Sequence, residues 1–308
     1  MTDLPTRKLG RTGSDVTTLG FGAMELRGAP RGPELTERES EQLLNAVLDA
    51  GINFIDTSID YGRSEERIGR YIAHRRSEYF LASKCGCVVG GAQGEHVHTA
   101  ENIRHGVENS LRLLKTDHLD LVQFHRSLTP AEFEAEGALQ EALKLKAEGK
   151  VRFLGVSGTL PNLHAQISLG VFDAFQIPYS ALQREHEDVI AEAAQAGAGT
   201  IIRGGVARGT PDDWDRTYYM VPSQTLKDRW ELAKLDELLD GQSRVEFTLR
   251  FTLSHPGLST TIVGTKSLEH LQANVRAAKA GPLAPSIVEE TKRRLERAAE
   301  RAASVSQR

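Results

Sequence analysis

The sequence predicts an α/β protein folded as one (β/α)8 TIM barrel, with an N-terminal β-hairpin closing its bottom. Three observations predict it. Eight short strand-like runs can be read along the chain: TTLGFGAM, NFIDTS, FLASK, LDLVQFH, VRFLGVSG, DAFQIPYS, GTIIRGG and TTIVGT. Amphipathic helical segments lie between them, and strict alternation of this kind demands parallel strands joined by crossovers. Ahead of the first run, TRKLGRTGSDV carries turn chemistry at Gly10 and Gly13 between strand-like pieces, which reads as a hairpin. A doubly wound open sheet is the competing architecture.

The chain has 308 residues, 39% hydrophobic and 26% charged, and about 250 residues suffice for such a barrel. No composition shift, proline-rich linker or low-complexity run divides it, so residues 1–308 are read as a single domain. A net charge of -4 creates no basic field, which argues against nucleic acid as a partner and leaves any phosphate to local groups. No apolar signal core opens the chain and no run of eighteen apolar residues occurs in it, so a cytoplasmic protein without membrane insertion is expected. The two cysteines, Cys85 and Cys87, flank Gly86 too closely for an easy disulfide and read as small loop-lining residues.

The first helix is TERESEQLLNAVLDAG. Thr36 is its N-cap, Glu39 closes a capping box, Leu43, Leu44, Val47 and Leu48 share one face, and Gly51 ends it. Ser64 is expected to cap the next helix, SEERIGRYIAH. TAENIRHGVENSLRLL follows, then a helix opened by Thr129 with Pro130 at its first position and Glu132 closing another box, then PNLHAQISLG. The C-terminal TKRRLERAAERAA reads as an amphipathic helix with a solvated face packed outside the barrel. Two stretches break the rhythm and are expected as rim loops: residues 86–98, and residues 208–224 with Trp214, Tyr218 and Tyr219.

Asp56 lies near the end of one predicted strand and Tyr61 on the turn at Gly62, five residues later. Lys84 and His125 end two further strands. In a barrel all four reach the C-terminal rim, where such folds place their chemistry. The quartet, set within DxxxxYGxSExxIG, resembles the aldo-keto reductases, and TRKLGRTGSDVTTLGFGAM resembles their N-terminus. The resemblance implies an NADP-dependent oxidoreductase reducing small aldehydes or ketones. Tyr61 would be the general acid, Lys84 and Asp56 would tune it, and His125 would hydrogen-bond the carbonyl oxygen. A free phenol, with a pKa of about 10, is a weak acid until a nearby cation favours phenolate.

The resemblance extends to NADPH binding. VRFLGVSGT matches the segment holding the nicotinamide carboxamide through Ser157, but Gly158 stands where the family usually has asparagine; Gln176 matches a further contact. Arg203 replaces a usual aromatic or polar residue and could stack on the nicotinamide, while Gly204 and Gly205 would let backbone amides approach the phosphates. In TTIVGTKSLEHLQANVRA, the residues Gly264, Thr265, Lys266, His270 and Asn274 match the adenosine end. Lys266 and the helix N-terminus after Ser267 could share a 2'-phosphate, although His270 replaces a commoner glutamine or arginine. No GxGxxG follows the first strand, so no Rossmann unit is expected.

Two other functions fit the same residues. Lys84 could be the nucleophile of a Schiff-base aldolase, or the chain could be an NADPH-binding regulatory or sensor subunit with slow turnover. His96 and His98 could chelate a metal, but no cysteine or carboxylate cluster stands near them in sequence, so no metal is expected. Met24, Cys87, Trp214 and Tyr218 are candidates for the pocket wall. Substrate identity and oligomeric state are not legible.

Overall fold

The computed structural model describes residues 4–30, 32, 34–92, 94–209, 211–212 and 222–306. Trp214, Tyr218 and Tyr219 lie outside them. Two antiparallel strands come first, β1 (Thr6–Lys8) and β2 (Asp15–Thr17). The barrel strands are β3 (Leu19–Gly22), β4 (Phe54–Asp56), β5 (Phe80–Cys85), β6 (Leu119–Phe124), β7 (Val151–Ser157), β8 (Ala174–Pro178), β9 (Gly199–Arg203) and β10 (Thr260–Val263). They run parallel in chain order, and β10 pairs with both β9 and β3, so the sheet closes and the open-sheet alternative falls.

The helices are α1 (Glu37–Asp49), α2 (Ser64–Tyr71), α3 (Ala100–Leu114), α4 (Pro130–Ala135), α5 (Ala138–Ala147), α6 (Leu163–Ser168), α7 (Glu187–Gln195), α8 (Ser223–Leu232), α9 (Arg244–Leu253), α10 (Leu268–Ala280) and α11 (Pro285–Ser306). Both capping boxes form, at Thr36 with Glu39 and at Thr129 with Glu132. The segment after Thr129 makes two helices rather than one, because Gly137 takes a left-handed conformation (φ 72°) that ends one and starts the other. Ser64 is not a cap. It is the first residue of α2, and its hydroxyl donates to the Ala23 carbonyl (2.9 Å) and pairs with Thr57 Oγ1 (2.9 Å), tying the helix to β4 and β3.

The inward faces of the strands sort by height. Phe54, Phe80, Leu121, Ala174 and Ile201 form an apolar floor that packs with Leu9 and Val16 of the hairpin region, so the hairpin plugs the N-terminal end. Two or four residues further along the same faces stand Asp56, Lys84, Gln123, His125 and Gln176. Period-two alternation thus carries apolar side chains at the bottom into a polar, chemically active set at the C-terminal rim. Among the described residues, no helix is long and apolar enough to cross a membrane.

Candidate active site

Lys84 is fully buried on β5 and faces Asp56, the last residue of β4. Its Nζ donates to both carboxylate oxygens (2.6 and 2.7 Å) and to the Thr57 carbonyl (2.9 Å). Asp56 Oδ2 also accepts from Gln123 Nε2 (2.9 Å) and Gln176 Nε2 (2.9 Å), and Ser157 Oγ donates to Gln176 Oε1 (3.1 Å). Strands β4 to β8 therefore share one buried network centred on a single carboxylate. Within it Gln123 Oε1 is buried without a hydrogen-bond partner, so the network is not fully satisfied.

Tyr61 sits on the turn between β4 and α2. Its amide donates to the Ser58 carbonyl (3.1 Å), and Gly62 follows with φ 50°, pressed so closely on the Arg27 carbonyl that a Cβ would lie 2.5 Å from its oxygen. Only glycine fits that turn without strain. The Lys84 ammonium lies 5.7 Å from the centroid of the Tyr61 ring, and His125 meets the same ring edge-on at 5.9 Å.

His125 directly follows β6. Its Nδ1 lies 3.1 Å from Cys87 Sγ, 3.3 Å from Ser58 Oγ and 3.6 Å from Asp60 Oδ1. Burial, reinforced by the Lys84 cation, pushes its pKa down to about 3, so the imidazole is neutral at ordinary pH. Burial works to raise the Asp60 carboxyl, but His125 and the Ser58 hydroxyl, which donates to it at 2.7 Å, leave it below the usual range. Burial pushes the Cys87 thiol up to about 12. Below this layer Glu65 is also fully buried. It accepts from Ser83 Oγ (2.6 Å), and burial raises its pKa to about 7.

Asp56, Tyr61 and His125 open onto a cavity of about 500 Å³, within the usual range for small-molecule sites. Met24, Asp60, His96, Ser157, Gln176 and Arg203 also line it, with bare backbone at Gly22, Gly204, Gly205 and Gly264. Thr265 is buried and caps the turn by accepting from the Ser267 amide (3.0 Å), and Ser267 Oγ caps α10 by accepting from His270 N (3.2 Å). Lys266 and His270 are exposed beside that N-terminus, and Asn274 is buried one turn on. Gly158 does not reach the cavity. A Cβ there would lie 3.0 Å from both Gln166 Oε1 and Leu163 Cδ2, so α6 fills the space beside it.

The sequence matches the aldo/keto reductase family profile over residues 18–295. The chain belongs to the aldo/keto reductase family. Among relatives of this oxidoreductase family, an L-galactose dehydrogenase of Arabidopsis thaliana is 29% identical over 90% of this chain and 89% of its own length. An oxidoreductase of Bacillus subtilis, YqkF, is 28% identical over 89% and 91%. The holo form of the aldo-keto reductase AKR11C1 from Bacillus halodurans superposes with a TM-score of 0.80 at 27% identity, covering 94% of this chain and 96% of that one.

Three residues of this aldo/keto reductase's rim, Ser58, Asp60 and Gln123, escaped sequence reading as site residues, as did the contact of Cys87 with His125. Gln123 had a signal, since it stands on the inward face of LDLVQFH between the apolar Leu121 and His125. Cys87 is buried behind His125 rather than lining the cavity, whereas Met24 does line it. His98 and His96 stack at 6.1 Å, but His96 turns towards Cys87 and Asp60.

Proposed function

We propose that this aldo/keto reductase uses NADPH to reduce small aldehydes or ketones to alcohols, with Tyr61 as the general acid, the whole chain acting as one barrel domain. The observation that carries the reading is the placement of a phenol, a buried ammonium and a neutral imidazole around one cavity. Bound there, the reduced nicotinamide would supply the hydride. Ser157 and Gln176 fit its carboxamide, the bare backbone at Gly204, Gly205 and Gly264 fits phosphates, and Lys266 with the N-terminus of α10 fits a further anion.

The residues divide the remaining work. Tyr61 Oη gives its proton to the carbonyl oxygen as negative charge develops there, and Lys84 stabilises the phenolate left behind. Asp56 fixes the ammonium, and Gln123 with Gln176 fix Asp56. His125, kept neutral by its surroundings, carries a proton on the ring nitrogen opposite Nδ1 and donates it as a hydrogen bond to the same oxygen.

The aldolase reading needs an accessible amine on Lys84. The side chain is fully buried and its Nζ donates to three oxygens, which disfavours attack on a carbonyl. The decisive experiment is NADPH oxidation with 4-nitrobenzaldehyde by wild type and Tyr61→Phe, with NADPH binding followed by fluorescence. Loss of about 10²-fold or more in kcat with binding retained supports the acid role. Equal turnover in both proteins overturns it, and NADPH binding without turnover in wild type supports a sensor instead.

A further inference from the structure

Beside the cavity, three segments bring together the donors of a metal site. Asp60 comes from the β4–α2 turn, Cys87 and His96 from the loop after β5, and His125 from the end of β6. Each offers one ligating atom, and the four atoms lie within 4.8 Å of one another. Bond lengths to zinc of 2.0–2.3 Å set ligand-to-ligand edges of roughly 3.3–3.8 Å in a tetrahedron. From His125 Nδ1, Asp60 Oδ1 at 3.6 Å falls within that range, and Cys87 Sγ at 3.1 Å would have to move outward by a few tenths of an ångström.

The half of the cluster on the loop is built before any ion arrives. Cys87 and His96 face each other as an antiparallel bridge, flanked by Val88 N to Glu95 O (3.1 Å) and Val97 N to Gly86 O (2.8 Å). Directly opposed residues of this kind project to the same side. His96 is also oriented as a ligand: its Nδ1 is 2.7 Å from the Gly94 carbonyl, which fixes the tautomer, while Nε2 is buried without a hydrogen-bond partner. A backbone carbonyl on the far ring nitrogen is the usual outer support of a metal-bound histidine.

We infer that Asp60, Cys87, His96 and His125 form a binding site for one thiophilic divalent cation of the Zn²⁺ type. Two neutral imidazoles, one carboxylate and one thiolate make a donor set whose two negative charges balance the ion. Binding replaces the Cys87 S–H bond with a bond to the metal, and the displaced proton leaves to solvent. No redox change is involved. The ion would fix the loop to the rim through His96 and would occupy Nδ1 of His125, leaving the opposite nitrogen protonated towards the cavity. The site does not depend on the reductase reading.

The test is titration of the reduced, metal-free protein with Co²⁺, followed by displacement with Zn²⁺. One Co²⁺ per chain is expected, with thiolate-to-cobalt absorption and the intense visible bands of a tetrahedral ion. Cys87→Ser should abolish the thiolate band, and His96→Ala, on the loop outside the barrel wall, should weaken binding about ten-fold or more. His98→Ala, whose ring stacks on His96 outside the donor set, should bind as wild type does. Absence of a thiolate band, or identical titrations for wild type, Cys87→Ser and His96→Ala, would overturn the assignment. Should Cys87→Ser fold poorly, the comparison of His96→Ala with His98→Ala decides alone.

Discussion

Lys84 and Asp56 form a buried ion pair: their side chains are 0% and 2% exposed, and Nζ lies 2.6 Å from Oδ1. Removing one partner strands the other. Asp56→Leu or Lys84→Met alone should therefore each lower folding stability by about 3–5 kcal/mol, and the double variant should lose clearly less than their sum, because the second substitution removes the stranded charge even though Gln123 and Gln176 still lack their acceptor. Denaturant midpoints of the two single variants and the double variant measure this. Additive losses would show that the charges do not act as a pair.

Glu65 predicts a pH dependence of stability. Its folded pKa, about 7, stands above the ordinary 4.5, so between those values the native state holds a proton that the unfolded state has lost. Stability from this group is complete below about 4.5 and falls as pH rises towards 7, by roughly 3 kcal/mol. Burial outweighs the Ser83 and Ser110 hydroxyls and the Lys84 cation, which all favour the charged form. Glu65→Gln removes the titration. The wild-type minus variant stability should decline across that window, and a flat difference would refute the protonated state. His125 acts in the opposite sense: depressed to about 3, it lowers stability as pH falls from about 6.5.

What the sequence made legible follows from the range of the interactions. The boxes at Thr36 and Thr129 are local, three residues across, and the inward period of two on each strand placed Asp56, Lys84 and His125 at one rim. Ser64 was misread because its hydroxyl found partners 41 and 7 residues away in place of a local amide. Gly137, in a left-handed conformation, splits into two the segment that the capping box at Thr129 opens. The Cys87–His96 bridge and the meeting of Asp60 with His125 are products of tertiary closure. Spacing along the chain contains no trace of them.

Gly158 tests whether the proposed carboxamide end of the coenzyme site has room for an asparagine side chain. A Cβ at 3.0 Å from Gln166 Oε1 and Leu163 Cδ2 forces α6 to give way, and the amide beyond it has further to push. Gly158→Asn should cost about 1–3 kcal/mol by overpacking. A lower Tm with NADPH affinity no better than wild type is expected. Unchanged Tm together with tighter binding would show that the side chain reaches the cavity.

Lys266 tests the source of coenzyme preference. It is exposed next to the capped N-terminus of α10, where its charge adds to the helix dipole. Lys266→Met should weaken NADPH binding about ten-fold, equivalent to about 1.4 kcal/mol, while NADH binding stays as in wild type. Titrations of both coenzymes by fluorescence separate the cases. Equal weakening of the two would place Lys266 near the shared part of the dinucleotide, and no change in either would move phosphate recognition to other groups.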